Sequence, residues 1–104
     1  MELLFLPAVR EFICSLDQTI AQRTQRVIQL LERHGHTLRS PQSKPLGNGL
    51  FELRILGNQQ IRIIYFFCGG VAVLVHIFFK KSMHIPKADM DFAIKTKKRF
   101  LQEI

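Results

Sequence analysis

The chain has 104 residues, 47% of them hydrophobic, and a formal net charge of +7, which is room for one domain with its own core and none for a second. No stretch of about 18 apolar residues occurs, and the start has neither the basic lead nor the small-residue cleavage site of a secretory signal. These features exclude a membrane span and predict a soluble, cytoplasmic single domain over residues 1–104.

Residues 2 to 6, Glu-Leu-Leu-Phe-Leu, fit either a short strand or a hydrophobic lead-in. Pro7 then stands where the first turn of a helix tolerates a missing N–H. Val9, Phe12, Ile13 and Leu16 recur at helical spacing and form one apolar stripe. Asp17 can cap a second helix, with Ile20, Thr24, Val27, Ile28 and Leu31 on its inner face and Gly35 as a left-handed stop. The two helices predict a hairpin.

Residues 35 to 49 lack periodicity and carry Gly, Ser, Pro and Asn, which reads as a loop long enough to need a functional reason. Phe51 to Leu56, Gln60 to Phe67 and Val71 to Phe79 are rich in β-branched and aromatic residues. Gly57-Asn58 and Gly69-Gly70 separate them as compact turns, so an antiparallel three-stranded meander is predicted. The last two strands are nearly continuous apolar runs, which requires cover on both faces of the sheet. Pro86 opens a C-terminal helix whose stripe is Met90, Ala93, Ile94, Leu101 and Ile104. Its acids come early and its lysines late, as the helix dipole favours. The fold class is therefore α+β, with a helical hairpin, a three-stranded sheet that has room for one more N-terminal strand, and a C-terminal helix.

The charge is uneven. Residues 1–43 hold five arginines against four acids, while residues 44–104 hold ten lysines and arginines against four. A basic half on a small domain is the electrostatic footprint of a polyanion binder, with solubility alone as the plainer reading. Cys14 and Cys68 suggest neither a disulfide framework nor a metal knuckle, and two reduced, mostly buried thiols are expected. GxGxxG, P-loop, HExxH and GxSxG motifs are all missing. His34, His36, His76 and His84 have no close acid or thiol set to complete a metal site. Neither a metal nor a cofactor is expected, and His76 in mid-strand reads as a structural histidine.

The informative set is Lys44, Arg54, Arg62, Lys80 and Lys81. Two of these sit inside strands, where a solvated charge run would not be placed. Arg54 shares a strand face with Glu52, two residues away. Arg62, flanked by isoleucines, must pair with an acid such as Glu52 or face a polar groove. Both arginines can thus be read as a self-satisfied ion pair or as a polyanion contact. Lys80 and Lys81 end the third predicted strand and point to opposite faces. Tyr65 and Phe78 offer rings nearby, and cations interleaved with rings are what a groove for single-stranded RNA uses. For either ring alone, core packing is the plainer reading.

Gly49-Leu50-Phe51-Glu52-Leu53-Arg54, Arg62-Ile63-Ile64-Tyr65-Phe66, Phe78-Phe79-Lys80-Lys81-Ser82 and Pro86 follow one another as in the RelE/HigB superfamily of type II toxins. The chain resembles its phage-derived HigB-like branch over roughly residues 5 to 102. That resemblance implies a RelE-like toxin fold, mRNA on the ribosome as substrate, cleavage during translation, and silencing by a cognate antitoxin, commonly a helix-turn-helix protein. It implies site roles for Lys44, Arg54, Arg62, Tyr65, Lys80 and Lys81. The segment Ser82-Met83-His84-Ile85 departs from the family pattern, in which Thr and further polar or basic residues usually follow. His84 there replaces a basic contact or serves as a proton donor. The expected assignment is Arg62, Arg54, Lys80 and Lys81 as catalytic, and Lys44, Tyr65, Phe78 and His84 as RNA-binding. Two competing readings stay open, a ParE-like inhibitor that binds DNA gyrase and a non-toxic nucleic-acid-binding domain of phage origin.

Overall fold

The computed structural model describes residues 1–104. In chain order the elements are β1 (Glu2–Phe5), α1 (Pro7–Cys14), α2 (Gln18–His34), a single 3-10 turn (Gly35–Thr37), β2 (Ser43–Gly47), β3 (Leu50–Ile55), β4 (Ile61–Cys68), β5 (Val71–Phe79) and α3 (Lys87–Gln102). One five-stranded sheet results, in the order β1-β5-β4-β3-β2. Strands β2 to β5 pair antiparallel, and β1 lies parallel to β5.

The helical boundaries follow local chemistry. The Asp17 carboxylate accepts from the Ile20 N–H at 3.0 Å, supplying a partner for one of the donors that the first turn of α2 leaves unpaired. Gly35 ends α2 at φ 54°, a left-handed geometry that a side chain would oppose. Pro86 precedes the first turn of α3.

The expected N-terminal strand forms as β1. One strand corrects the expectation: residues 43–47, expected as loop, form β2. Pro45 has no N–H to give a ladder and is tolerated because β2 is an edge strand with one side unpaired. Gly47 pairs with Leu50 after a register shift, so the strand bends at once into the β2–β3 turn.

The near-continuous apolar runs of β4 and β5 are explained by two cores. Val9, Ile28 and Leu31 from α1 and α2 pack on Leu53, Ile63 and Leu74, while Ala93 of α3 packs on Leu50, Ile64, Phe66 and Val73 across the sheet. Burying a side chain such as Leu31 contributes about 1.5–3 kcal/mol, so each helical layer is held chiefly by its apolar face. Between β4 and β5 the register shifts: Ile64 faces His76 while Tyr65 faces Leu74. Val75 is the extra residue of a bulge, which reverses strand parity and brings His76 and Phe78 to the α3 side, where Val73 and Val75 also pack.

Two smaller expectations are corrected. Cys14 is exposed and Cys68 half-buried, because each lies at the end of its element. In α3 the apolar stripe fades toward the C-terminus: Leu101 is 42% and Ile104 75% exposed, and Phe100 makes the inward contact on Phe66 instead.

Candidate functional site

The register of the sheet assembles two polar rows on its α3 face. Lys44 on β2 lies opposite Glu52 on β3, which lies opposite Ile64 and then His76. One row along, Arg54 lies opposite Arg62, which lies opposite Phe78. Because side chains two apart on a strand share a face, Glu52 and Arg54 stand side by side. A cleft of about 240 Å³ opens above them, where the strand ends meet the β5–α3 connection, and Lys44, Glu52, Arg54, Lys80 and His84 line it. Leu46, Met83, Ile85 and Met90 supply its apolar walls.

Beneath the cleft, one carboxylate serves two guanidiniums. Glu52 accepts from Arg54 Nε at 2.8 Å, and its other oxygen stands 3.6 Å from Arg62 Nε. Glu52 and Arg62 are each 4% exposed. Arg62 also donates to the Ile61 carbonyl at 3.3 Å and to Gln60 Oε1 at 3.1 Å, while its buried Nε has no hydrogen-bond partner. Burial holds the Arg62 guanidinium below the usual arginine range; Glu52 opposes the shift and Arg54 adds to it. Two cations against one buried anion leave the trio with an uncompensated positive charge and an orphan donor, and the interior tolerates neither well. An anion in the cleft would offset that charge.

Several sequence-predicted residues are brought together here and others are not. Lys44, Arg54, Lys80 and His84 share the cleft. Arg62 is buried and does not line the cleft, which it reaches only through its ion pair with Glu52. Lys81 faces a separate pocket of about 410 Å³ with Asn58, Gln59 and Gln60, which Lys80 also borders. Tyr65 is on the opposite face. It is 1% exposed, shares a hydrogen bond with the Ser43 hydroxyl, and packs between Phe51 and Phe67 with ring centroids 5.5 and 5.6 Å away. Burial raises its phenol above the usual tyrosine range, against the Ser43 hydrogen bond. Phe78 is on the correct face but lies beneath α3, 5.3 Å from the His76 ring. Neither ring offers a free surface for a base, because Tyr65 lies an odd number of residues from Arg62 on the same strand and the bulge turns Phe78 inward.

Three members of the site region carry no role in the sequence-based assignment. Glu52 enters it only as an arginine partner, yet it lines the cleft and holds both guanidiniums. Gln60 fixes the far side of Arg62, a role that only the β3–β4 turn geometry reveals. His76 Nε2 lies 2.7 Å from Asp89 Oδ1, and its ring lies 4.6 Å from Phe92, so the mid-strand histidine ties α3 to the sheet. His76 and Asp89 are distant in sequence, and no local pattern signals their pairing.

A family model described as Phage derived protein Gp49-like (DUF891) matches residues 11–98. The fold is similar to a solved structure described as the YoeB/ParE toxin from Agrobacterium tumefaciens, with a TM-score of 0.56 and 16% sequence identity. That match covers 78% of this chain and 100% of the other. No curated protein matches the chain.

Proposed function

We propose that this chain, which belongs to the phage-derived Gp49-like family of RelE/HigB-like toxins, is a ribosome-dependent endoribonuclease that a cognate antitoxin restrains. One observation carries the reading: Lys44, Arg54, Lys80 and His84 surround a single cleft over the buried Glu52. That arrangement suits an RNA phosphate and its neighbouring ribose.

RNA carries its own nucleophile. Attack of the 2′-oxygen on the adjacent phosphorus forms the 2′,3′-cyclic phosphate, breaks the bond to the 5′-oxygen and leaves a 5′-hydroxyl. The reaction needs alignment, neutralisation of the phosphate, removal of one proton and return of another. Arg54, held in place by Glu52, faces the developing charge, and Arg62 adds its field from below. Lys44 and Lys80 flank the phosphate, and docked RNA strips water from them. Desolvation disfavours the charged ammonium, so one of these lysines can take the 2′-OH proton. His84, on the wall of the same cleft, returns a proton to the leaving 5′-oxygen. Lys81 extends the basic rim for RNA beyond the cleft. Tyr65 and Phe78 contribute by shaping the two layers rather than by stacking bases.

The test is inducible expression in a bacterial host of wild type, Arg54→Ala and His84→Ala, with growth and primer extension on a translated mRNA as readouts. Arg54 is the better probe than Arg62 because it is only half-buried. Its removal should lower cleavage about 100- to 1,000-fold, the range for losing one charge-stabilising donor, while the protein stays folded. Growth arrest without cleavage would favour a protein target such as gyrase, a reading in keeping with the name ParE that the similar Agrobacterium tumefaciens toxin bears. No arrest would favour a non-toxic nucleic-acid-binding domain.

A further inference from the structure

Beside the cleft, α2 and the end of β3 form a second basic surface. A groove of about 490 Å³ runs between α2 and the end of β3, bordered by Arg23, Arg26, Arg33 and Arg54 and lined by Val27, Leu30 and Leu56. No acidic residue lines it, and Arg23, Arg26 and Arg33 form no salt bridge. Of these three, Arg23 alone is tethered, donating to the Leu56 carbonyl at 3.4 Å. Leu56 is 54% exposed at the groove's edge. From Arg23 to Arg33 the helix rises roughly 15 Å, the span of about four or five residues of extended chain.

We infer that this groove receives an acidic amphipathic segment of a partner protein, its carboxylates on the arginine rim and its aliphatic side chains on Leu30, Val27 and Leu56. Charge complementarity selects an acidic ligand, since three unpaired guanidiniums on one helix face repel one another until an anion lies between them. The lining decides between polyanions. Val27, Leu30 and Leu56 give this groove an aliphatic surface with the arginines at its margin, and such a surface takes the apolar side chains of a peptide, which a phosphate backbone does not have. Arg54 borders both this groove and the cleft. A carboxylate drawn to Arg54 from the groove competes with the phosphate for the same guanidinium, so occupancy here lowers cleavage without filling the cleft. The identification of the partner as the antitoxin rests on the proposed function; the groove's ligand chemistry does not.

The experiment uses the full chain and two labelled 12-residue probe peptides, one alternating Glu and Leu and the other alternating Glu and Ser, with a labelled oligouridine as comparison. The Glu/Leu peptide should bind at least tenfold tighter than the Glu/Ser peptide. Charge reversal at two exposed positions in R26E/R33E should weaken it about tenfold or more, with oligouridine binding unchanged. Leu30→Ser should remove the preference for Leu over Ser. Equal affinity for the two peptides would overturn the inference, as would retained peptide binding in R26E/R33E. Loss of oligouridine binding instead of peptide binding would assign the groove to nucleic acid. If wild type binds the Glu/Leu peptide as expected but never cleaves mRNA, the nuclease reading fails while the groove's assignment stands.

Discussion

Glu52 carries more of this molecule than any other single side chain, because it is the sole anion for two guanidiniums in a nearly dry site. Removing one partner of a buried ion pair strands the other, so Glu52→Gln should cost about 3–5 kcal/mol of stability in urea unfolding. Arg54→Ala touches a partly exposed pair, and a loss of about 1 kcal/mol or less is expected. The ratio separates scaffold from chemistry: Arg54 should matter to cleavage far more than to folding. Tyr65 gives a second residue-scale test, and its signal is unambiguous because the chain holds one Tyr and no Trp. Its phenol is raised in the folded state by burial. A raised pKa means stabilisation that is complete below the unfolded value near 10 and is lost as pH climbs through the folded value. Absorbance at 295 nm should therefore show phenolate appearing only above the ordinary tyrosine range, together with loss of the folded far-ultraviolet signal. Ionisation at the ordinary value with the fold intact would place Tyr65 in contact with water.

At the scale of elements, α3 is the lid of the polar face and the least buried of its neighbours, with Ala93 its one fully buried residue. It is attached by Ala93 in the core, by His76 to Asp89 and Phe92, by Phe100 on Phe66, and by Lys97, whose ammonium donates to the Asn48 carbonyl and lies 5.5 Å from the Phe66 ring centroid. Such an element opens below the global unfolding free energy. Amides of α3 should exchange with deuterium faster than those of β4 and β5, and Asp89→Ala should speed α3 further while leaving the central strands unchanged; uniform protection across all three would show that α3 unfolds only with the whole domain. The helices and the β3–β5 meander were legible because period, caps and turn residues are local signals. β2 was not, since Ser43-Lys44-Pro45-Leu46-Gly47 has weak strand character and is held by its pairing with β3. The site was half legible for a related reason. Parity along β3 places Glu52 beside Arg54, and parity along β4 likewise sets Tyr65 on the face opposite Arg62, three residues away, whereas the bulge at Val75, which turns Phe78 toward α3, leaves no mark in composition.

Over the whole molecule, the basic charge includes two concave surfaces, the cleft on the α3 face and the arginine groove along α2, for which different ligands are proposed. Their salt responses should differ in a way that net charge alone does not produce. Binding of single-stranded RNA releases counterions in proportion to the phosphates neutralised, with a log–log slope of about −0.7 for each. Three cleft cations, Lys44, Arg54 and Lys80, therefore predict a slope of about −2 for a short oligoribonucleotide. Lys44→Ala and Lys80→Ala should each make that slope shallower by about 0.7, whereas R26E/R33E, which changes the net charge by four, should leave it nearly unchanged because the groove lies outside the RNA path. If instead the slope tracked net charge whatever the position of the substitution, binding would be a property of the overall field, and the cleft would have no particular claim on the phosphate.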